Sequence, residues 1–363
     1  MRTHPIVVVG GGVIGLMTAR ALARHGHEVV VFERGALGRE ASWAAGGILS
    51  PLYPWRYPDA VTRLSQASQA VYPELCKGLE EATGIDPEWE PSGLWCLGEG
   101  ERDHATAWAA RFGVRLEVDA GGEWGPGLWL PDVAQVRPPR LLRALRGQLQ
   151  NLPVTIREEA CVEGLRWQRG VLTGLVVNGE EVAASRLVVA AGPWSAPLLA
   201  RYGLPLPVTP VKGQMILIQA PRGALKTMVL KEGRYLVPRR DGSVLVGSTQ
   251  ETQGFDKTLT EEARVALRAS ALALWPALEP FPVTHQWAGL RPSSPEGVPF
   301  IGEHPEIRGC FVNTGHFRNG IVLAPASAEL AADLVLCEDP GCDPAPYAPD
   351  RSLGGGSAVS VVK

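Results

Sequence analysis

IVVVGGGVIG, residues 6–15, is the stretch that decides the fold of this chain. Four apolar residues precede three glycines, and a stretch with helical spacing runs from Val13 to about His25. Residues 28–34, EVVVFER, then return to a strand pattern. The order of strand, glycine turn, helix and strand is typical of a dinucleotide-binding unit. Because both strand segments are apolar throughout, where an exposed strand would alternate, they predict a parallel sheet buried on both faces.

The glycines of this stretch have the spacing G-x-G-x-x-G, at Gly10, Gly12 and Gly15. In such a motif the first glycine allows a tight turn, the second lets a pyrophosphate approach the backbone, and the third lets helix and strand pack closely. The pyrophosphate then lies at a helix N-terminus, which favours an anion. Glu33 follows Gly12 at about the interval, roughly 20 residues, expected of an acid that binds a ribose diol. A ligand-free glycine turn is the alternative, and the motif alone does not separate FAD from a nicotinamide cofactor.

Further strands of the same sheet are expected far along the chain, at residues 187–191 (LVVAA) and 310–314 (CFVNT). The nucleotide-binding domain is therefore expected to be assembled from separated segments. Residues 211–287 have another character, because KGQMILIQA, RYLVPR and SVLVGST resemble strands of an antiparallel sheet, with a hairpin turn at 240–243. A helix with a capping box formed by Thr258 and Glu261 is predicted to follow.

Composition excludes several classes of protein. The chain has 363 residues, of which 45% are hydrophobic, and this size predicts two domains. A net charge of −3 with mixed signs argues against nucleic acid as the main partner. The N-terminus does not have the pattern of a signal peptide, and we find no uncharged apolar run of about 18 residues that would span a membrane. The six cysteines lack the spacing of a metal site, so we expect no metal and reduced thiols in a cytoplasmic protein.

A stretch of small residues follows Glu33, at residues 38–51 (GREASWAAGGILSP). Glycine and alanine allow a flat ring to lie close to the backbone, so this stretch favours a flavin over a nicotinamide. A single cluster of this kind is more often only a turn. The later pattern LVVAAGPWS, residues 187–195, likewise places small residues after a strand.

Taken together, these blocks resemble the glycine oxidase branch of the D-amino-acid oxidase family of FAD-dependent oxidoreductases. The resemblance covers residues from about 5 to 350 and rests on GGGVIG with FER, SWAAGGILSP, KGQMILI, RYLVPRRDG, VGSTQE, WAGLRPSSPEGVPFIG and NTGHFRNGIVLAPAS. It implies an α/β fold: a Rossmann-type FAD-binding domain and a second α+β substrate domain built on a largely antiparallel sheet. We expect the FAD-binding domain at 1–80, 138–208 and 288–349, the substrate domain at 81–137 and 209–287, and a flexible tail at 350–363.

The resemblance also implies roles for individual residues. Arg291, in GLRP, would bind the substrate carboxylate through a two-pronged contact, assisted by the hydroxyl of Tyr235. Arg318, in GHFRNGI, would be a second arginine of the active site. Gln250 and Ile48 would line the substrate pocket, and Gln250 stands where relatives can carry methionine. His316 is more simply explained as a structural hydrogen bonder than as a catalytic base.

The residues expected to contact FAD come from seven parts of the chain. They are Gly10, Gly12, Val13, Ile14 and Gly15; Glu33 and Arg34; Ser42, Ala45, Gly46, Gly47, Ile48 and Leu49; Val162, Ala191, Gly192 and Trp194; and Gly289, Arg318, Asn319, Gly320, Ile321 and Val322. Sarcosine oxidases attach their flavin to a cysteine in the region where this chain has residues 290–293, LRPS. Since there is no cysteine there, the FAD should be noncovalent.

The implied reaction is transfer of a hydride from the α-carbon of glycine or another small amino acid to flavin N5. Oxygen would reoxidise the flavin and give hydrogen peroxide, and the imine product would yield glyoxylate and ammonia or supply the thiazole of thiamine. The alternatives are a D-amino-acid oxidase or dehydrogenase, a sarcosine or proline oxidase, and a flavin-binding protein without turnover. The expected partners are a small amino acid and oxygen in a homo-oligomer, a tetramer by resemblance, without nucleic acid or membrane.

Overall fold

The computed structural model describes residues 4–98, 100–118 and 124–351. The helices are α1 (Val13–Arg24), α2 (Ala41–Ala44), α3 (Asp59–Thr83), α4 (Arg102–Phe112), α5 (Pro138–Leu149), α6 (Ser195–Ala200), α7 (Glu261–Leu274) and α8 (Gly320–Leu336). The strands are β1 (Ile6–Val9), β2 (Val29–Phe32), β3 (Leu94–Leu97), β4 (Glu117–Val118), β5 (Gly127–Leu130), β6 (Val154–Arg157), β7 (Val162–Gln168), β8 (Val171–Val177), β9 (Glu180–Ala183), β10 (Leu187–Val189), β11 (Thr209–Gln219), β12 (Met228–Lys231), β13 (Arg234–Pro238), β14 (Ser243–Gly247), β15 (Val283–Ser293), β16 (Phe300–Glu303) and β17 (Cys310–Thr314).

The first sheet has the strand order β16-β17-β10-β1-β2-β6, and all its neighbouring pairs are parallel except β16 with β17. Both distant segments predicted for it, β10 and β17, lie in it. Alternate residues of β1 pack into different cores: Val8 joins the core with α1 and α8, while Val7 and Val9 join the core with β7, β8 and β9. This two-sided burial explains why the strand is apolar throughout.

The second sheet has the order β15-β11-β14-β13-β12-β3-β5-β4 and is antiparallel except where β12 pairs with β3. Its two faces are also both covered. Met215 and Tyr235 belong to the core on one face, while Ile216 and Ile218 pack with Leu267 of α7 on the other. The predicted α/β class, with a Rossmann-type sheet and a largely antiparallel second sheet, is confirmed.

The turn between β13 and β14 agrees with the sequence pattern, whereas the cap of α7 does not. The turn between β13 and β14 is closed by a hydrogen bond from Gly242 N to Arg239 O, as the sequence predicts within one residue. The predicted cap of α7 is wrong, because the N-cap is Thr260, whose side chain accepts from Ala263 N at 3.3 Å. Thr258 instead donates its hydroxyl hydrogen to Asp256 Oδ1 at 2.6 Å.

One described segment, Phe317–Leu336, is long and apolar enough to cross a membrane by length and composition alone, with a mean hydropathy of 1.3 over its best window. Its sequence contains Glu329 and Asp333, which is why it is not an uncharged run. Within the fold 67% of that window is buried, and α8 contacts α1 and α3. These are the properties of a helix in the core of a folded domain.

The boundaries of the predicted domains do not all coincide with element boundaries. The boundary at 287/288 lies inside β15, which stays paired with β11 from Val283 to Ser293. The division into two domains therefore stays a prediction. The first sheet lies within the predicted FAD-binding domain, and most of the second sheet lies within the predicted substrate domain. Of the predicted tail, residues 352–363 lie outside the described residues, as do residues 99 and 119–123 of the predicted substrate domain.

Candidate active site

A cavity of about 460 Å³ lies between the two sheets. One wall is made by residues at the carboxyl ends of parallel strands, among them Gly10, Phe32 and Ala190. The opposite wall is a face of the second sheet that carries Tyr235 and Arg291. A crevice at the carboxyl ends of parallel strands is the usual ligand site of such sheets.

The glycine turn and the start of α1 line the cavity, and close packing within the protein requires glycine at two positions of the turn. Gly10 has φ +111°, and a β-carbon there would lie 2.5 Å from the carbonyl oxygen of Ala190. A β-carbon on Gly15 would come within 1.9 Å of Gly10 O, so α1 packs on β1 only with glycine at this position. Ser42 Oγ accepts from Val13 N at 2.9 Å. The helix N-terminus, with its dipole and first-turn N–H groups, thus faces the cavity as a phosphate site.

Glu33 is fixed at the end of β2, where its carboxylate accepts from Gly11 N at 2.7 Å and from Gly35 N at 3.0 Å. It lines the cavity beside Arg34, whose guanidinium lies 3.6 Å from the ring centre of Trp194. A carboxylate held by two backbone donors keeps lone pairs free for further hydrogen bonds. The position suits the diol of a ribose.

The small residues after α2 form a flat wall whose shape is maintained by a buried arginine. Arg239 donates to Gly46 O at 2.6 Å and to Val136 O at 2.9 Å. Burial lowers the pKa of Arg239 to about 10, so it stays charged at neutral pH. A β-carbon on Gly47, whose φ is +78°, would lie 2.0 Å from Val136 O. This role of Arg239 is not apparent from the sequence, because its partners, the carbonyls of Gly46 and Val136 and the side-chain oxygen of Gln135, come from distant segments.

Tyr235 lies in a row of residues that crosses the second sheet. It pairs with Gly247 on β14, and Gly247 pairs with Met215 on β11. The ring occupies the space over Gly247, where a β-carbon would be 2.4 Å from it. Its hydroxyl lies 3.6 Å from Met215 Sδ and faces Gly46, where a β-carbon would be 3.2 Å away. The hydroxyl thus points into the space between the sheet and the flat wall.

Arg291 reaches the same space from β15. Its backbone pairs with Val211, and its guanidinium lies over Gly213, where a β-carbon would be 2.0 Å from the nearest nitrogen. Nη1 donates to Thr249 O at 3.2 Å. Burial lowers the pKa of Arg291 to about 10, and the neighbouring Arg318 acts in the same direction while Tyr235 opposes it. Arg291 therefore remains a cation at neutral pH and can bind a carboxylate.

Two further polar groups on the cavity wall lack a protein partner. Nη2 of Arg318 and Oγ of Ser248 are both buried and have no hydrogen bond to any described residue. A buried polar group without a partner costs free energy unless a ligand or water satisfies it. Together with Arg291 and Tyr235, these groups make this end of the cavity a site for an anionic or polar ligand.

Most of the predicted site residues lie on this cavity. They are Gly10, Gly12, Val13, Ile14, Glu33, Arg34, Ser42, Ala45, Gly46, Gly47, Ile48, Val162, Ala191, Gly192, Trp194, Tyr235, Gly289, Arg291, Arg318, Gly320 and Ile321. The described lining does not include Gly15, Leu49, Asn319, Val322 or Gln250. The first four are buried, and the contact roles of all these residues stay predictions.

Gln250, predicted to line the substrate pocket, does not belong to the described lining of the cavity. Its neighbours Thr249 and Glu251 are hydrogen-bonded to each other and to Gln214, whereas Gln250 itself is exposed to solvent. Met215 takes the place beside Tyr235. The sequence did not indicate it, because Met215 reaches the cavity only through the register of β11 with β14.

His316 lines the cavity and is fully enclosed. Burial lowers its pKa to about 3, so the ring is neutral at physiological pH. Nε2 and Ser327 Oγ are 3.0 Å apart, within hydrogen-bond distance. This agrees with the expectation of a structural hydrogen bonder.

The residues present fit FAD. The start of α1 would hold the pyrophosphate, and Glu33 would bind the adenosine ribose. The wall at 44–47 would hold a flat ring. This wall packs tightly on β15, because a β-carbon on Gly289 would lie only 2.6 Å from the β-carbon of Ala44. Arg318, with its unpartnered nitrogen, would serve the electron-rich end of the ring or the substrate. Among the described lining residues the cysteine is Cys161, beside Val162. It is remote in sequence from residues 290–293, the region in which sarcosine oxidases attach their flavin.

Comparison with known proteins agrees with this geometry. The model of the DAO family, FAD dependent oxidoreductase, matches residues 5–334. Glycine oxidase of Pseudomonas putida is 49% identical over an alignment of 361 residues that covers 96% of this chain and 99% of that protein. The crystal structure of glycine oxidase from Geobacillus kaustophilus superposes with a TM-score of 0.91 at 32% identity, covering 98% of this chain and 100% of that one.

A third relative has a different length. The bifunctional protein ThiO/ThiG of Nostoc sp. is 34% identical over 353 residues, which are 92% of this chain but 53% of that protein. The family match spans most of the chain, and the cavity carries the glycine turn, the acid and the small-residue wall that the cofactor requires. The chain belongs to the DAO family of FAD-dependent oxidoreductases, with FAD as its cofactor.

Proposed function

We propose that this protein catalyses the oxidative deamination of glycine and other small amino acids: glycine + O2 + H2O gives glyoxylate + NH3 + H2O2. The observation that carries the proposal is the convergence of Arg291 and Tyr235 on the space in front of Gly46, inside the cavity that fits FAD. A cation and a hydroxyl side by side form a site for a carboxylate. Relatives of nearly the same length, up to 49% identical, are glycine oxidases.

Arg291 binds the substrate carboxylate with two nitrogens, and the Tyr235 hydroxyl donates to the same group. Because Arg291 and Tyr235 bind the carboxylate from the side of the second sheet, the α-carbon is directed toward the wall at Gly46 and Gly47. FAD, when bound, supplies the acceptor for the hydride that leaves the α-carbon, and oxygen later accepts the two electrons. The contribution of the protein is placement, because correct orientation of reacting atoms can lower a barrier by several kcal/mol.

The reaction proceeds without a protein base at the α-carbon in this proposal. His316, the histidine on the described lining, is neutral and its Nε2 is occupied by Ser327. The amine of the substrate must be neutral for its lone pair to assist departure of the hydride, so a proton is lost to solvent before the step. Arg318, whose Nη2 is unpartnered, stabilises negative charge near the substrate or the cofactor.

The pocket is bounded by Met215, Tyr235 and Ile48, which favours a small side chain on the substrate. A difference of one methylene changes affinity by only about 1–3 kcal/mol, so D-alanine and sarcosine are expected as slower substrates. The imine formed from glycine also suits thiazole assembly in thiamine biosynthesis, a role supported by the resemblance and by the ThiO/ThiG relative. We further propose noncovalent FAD and a cytoplasmic location. We also propose a homo-oligomer, and light scattering in solution tests this oligomeric state.

The test of the proposed function is an aerobic assay of glycine, sarcosine, D-alanine and D-proline, with peroxide and the oxo-acid product measured together. We expect glycine to give peroxide, glyoxylate and ammonia in equal amounts. Turnover only with the bulkier substrates would assign the protein to the D-amino-acid or secondary-amine oxidases. No peroxide and no product with any of the four would make the catalytic proposal wrong.

A further inference from the structure

Lys212 is a buried cation that the proposed reaction does not use. Its side chain is 2% exposed, and it belongs to β11, on the face of the second sheet opposite the cavity. The same face continues along β11 with Gln214, Ile216 and Ile218, and the two isoleucines pack against Leu267 of α7. This face is therefore apolar at one end and polar at the other. A buried charge requires a compensating partner.

The partner of Lys212 is Glu251, which follows β14 in sequence. Nζ of Lys212 lies 3.1 Å from Glu251 Oε2, and the two backbones pair through hydrogen bonds of 2.9 Å in both directions. Partial burial acts to raise the pKa of Glu251. Hydrogen bonds from Thr249, Gln214 and Lys212 outweigh this effect and hold the pKa below its usual value. Glu251 is thus an anion at neutral pH, and the ion pair is complete.

Thr249 connects this ion pair to the cavity. Its hydroxyl donates to Glu251 Oε1 at 2.5 Å and accepts from Gln214 N at 2.8 Å. Its carbonyl oxygen, on the other side of the chain, accepts from Nη1 of Arg291 at 3.2 Å. The position of that carbonyl is therefore set by contacts on the face away from the cavity.

The neighbouring carbonyl has a similar function. Ser248 O accepts from Nη1 of Arg234, whose own neighbour in the sequence is Tyr235. The segment 248–251 thus offers two successive carbonyls to arginines of the β13 and β15 strands, and its far end is fixed by Lys212. Beyond the end of β14 at Gly247, the backbone of this segment is hydrogen-bonded to β11, from Thr249 N to Gln214 O at 3.2 Å and between Lys212 and Glu251. The side-chain contacts of Lys212, Glu251 and Thr249 add to this pairing.

We propose that Lys212 and Glu251 are positioning residues for substrate binding: they fix Thr249 from behind the sheet, and Thr249 holds the guanidinium of Arg291 at the substrate carboxylate. This inference deepens the proposed function and rests on Arg291 as the carboxylate site. A misplacement of about 1 Å at such a group can cost up to about 100-fold in rate or affinity. The effect should fall on carboxylate binding, because neither residue touches the cavity.

The alternative is that the pair contributes only to stability. Loss of one partner of a buried ion pair is destabilising in either case, so a lower melting temperature alone does not distinguish the two explanations. The distinguishing quantity is the affinity for a carboxylate in protein that is folded and loaded with FAD. Acetate is a suitable probe, because it carries the carboxylate without an oxidisable amine.

The experiment compares Lys212→Met, Glu251→Gln and the double variant with the wild-type holoenzyme. We expect each single variant to raise the KM for glycine and the Kd for acetate by about 10-fold to 100-fold, with kcat changed by less than about 3-fold. The double variant should raise the KM and the Kd no further than the single variant with the larger effect, because the two residues act as one unit. Lys212→Arg should restore most of the affinity.

Leu267→Ala is the matched control, because Leu267 packs on the same face of the sheet without a link to Thr249. It should lower the melting temperature and leave both KM and acetate affinity unchanged. If Lys212→Met does not fold, Glu251→Gln, which keeps the size of the side chain, gives the same comparison.

Unchanged acetate affinity in folded Glu251→Gln would overturn the inference. Weaker acetate binding in the variants, in a protein that does not oxidise glycine, would support the positioning role and overturn the proposed function. The two proposals therefore fail separately.

Discussion

The guanidinium of Arg291 occupies the space above Gly213, where a β-carbon would lie 2.0 Å from its nearest nitrogen. The register of the two strands creates this relationship: Arg291 pairs with Val211, and Gly213 pairs with Gly289 two residues away on the same face. The absence of a β-carbon on Gly213 leaves the space in which the guanidinium lies, while Ala44 packs against Gly289. Arg291 thereby reaches the cavity.

Gly213→Ala should therefore displace Arg291. We expect the KM for glycine to rise by about 10-fold to 100-fold with FAD still bound, because the methyl group would occupy the place of the guanidinium. Steady-state kinetics and the flavin absorption of the purified protein measure both quantities. Gly78→Ala, in the open middle of α3, is the control and should leave KM unchanged. An unchanged KM in Gly213→Ala would contradict the placement of Arg291.

Gly15→Ala should separate the cofactor site from the substrate site. The added β-carbon would come within 1.9 Å of Gly10 O, so α1 must move away from the turn that faces the pyrophosphate. Overpacking of this kind costs roughly 1–3 kcal/mol, and we expect most of the purified protein to lack FAD. The ratio of flavin to protein absorption reports this directly. Gly35→Ala, which meets no atom within 4 Å, should keep its FAD.

The activity should have a maximum in alkaline solution. The rate rises with pH while the amine of the substrate loses its proton. Arg291 binds a carboxylate only in its protonated form, and burial lowers its pKa to about 10, so the KM for glycine should increase above that pH. Initial rates from pH 7 to about 11, fitted separately for kcat and KM, test this assignment. A KM that stays constant through pH 10 to 11 would mean that Arg291 keeps its proton over this range.

Acid should destabilise the fold through His316. Its pKa is about 3 in the folded protein against 6.5 for an ordinary histidine. The unfolded chain takes up this proton first as the pH falls below 6.5, so the stability associated with the neutral ring is present above that pH and is lost progressively toward pH 3. His316→Asn should show a smaller fall in melting temperature between pH 7 and about 5 than the wild type does. Equal slopes would mean that His316 is not the group responsible.

The sequence predicts the first sheet well, because β1, β2, β10 and β17 are apolar on both faces and the glycine turn has a specific spacing. It places Tyr235 and Arg291 through the blocks RYLVPRR and GLRP, and the structure brings both to one cavity. What the sequence does not show is the register between strands. Met215 and Gly213 acquire their positions only through the pairing of β11 with its two neighbours.

Other differences from the sequence-based expectations are local. Gln250 was predicted to line the pocket by its place in VGSTQE, whereas it is exposed and does not belong to the described lining, so its role stays a prediction. Thr258 and Thr260 are both suited to cap a helix, and hydrogen bonding of Thr258 to Asp256 decides between them. Arg239 and Lys212 look like ordinary surface cations in the sequence. Their burial depends on carbonyls and a carboxylate that the fold brings from elsewhere.

The most direct test of the Arg291 carboxylate site is anaerobic rapid mixing of the FAD-loaded protein with glycine, following the loss of oxidised-flavin absorption. The wild-type protein should be reduced with a rate that saturates in glycine. Arg291→Met, with FAD bound, should need on the order of 100-fold more glycine, because a charge-assisted pair is lost. Equal glycine dependence in the two proteins would contradict the carboxylate site, and absence of reduction in the wild type would contradict glycine oxidation itself.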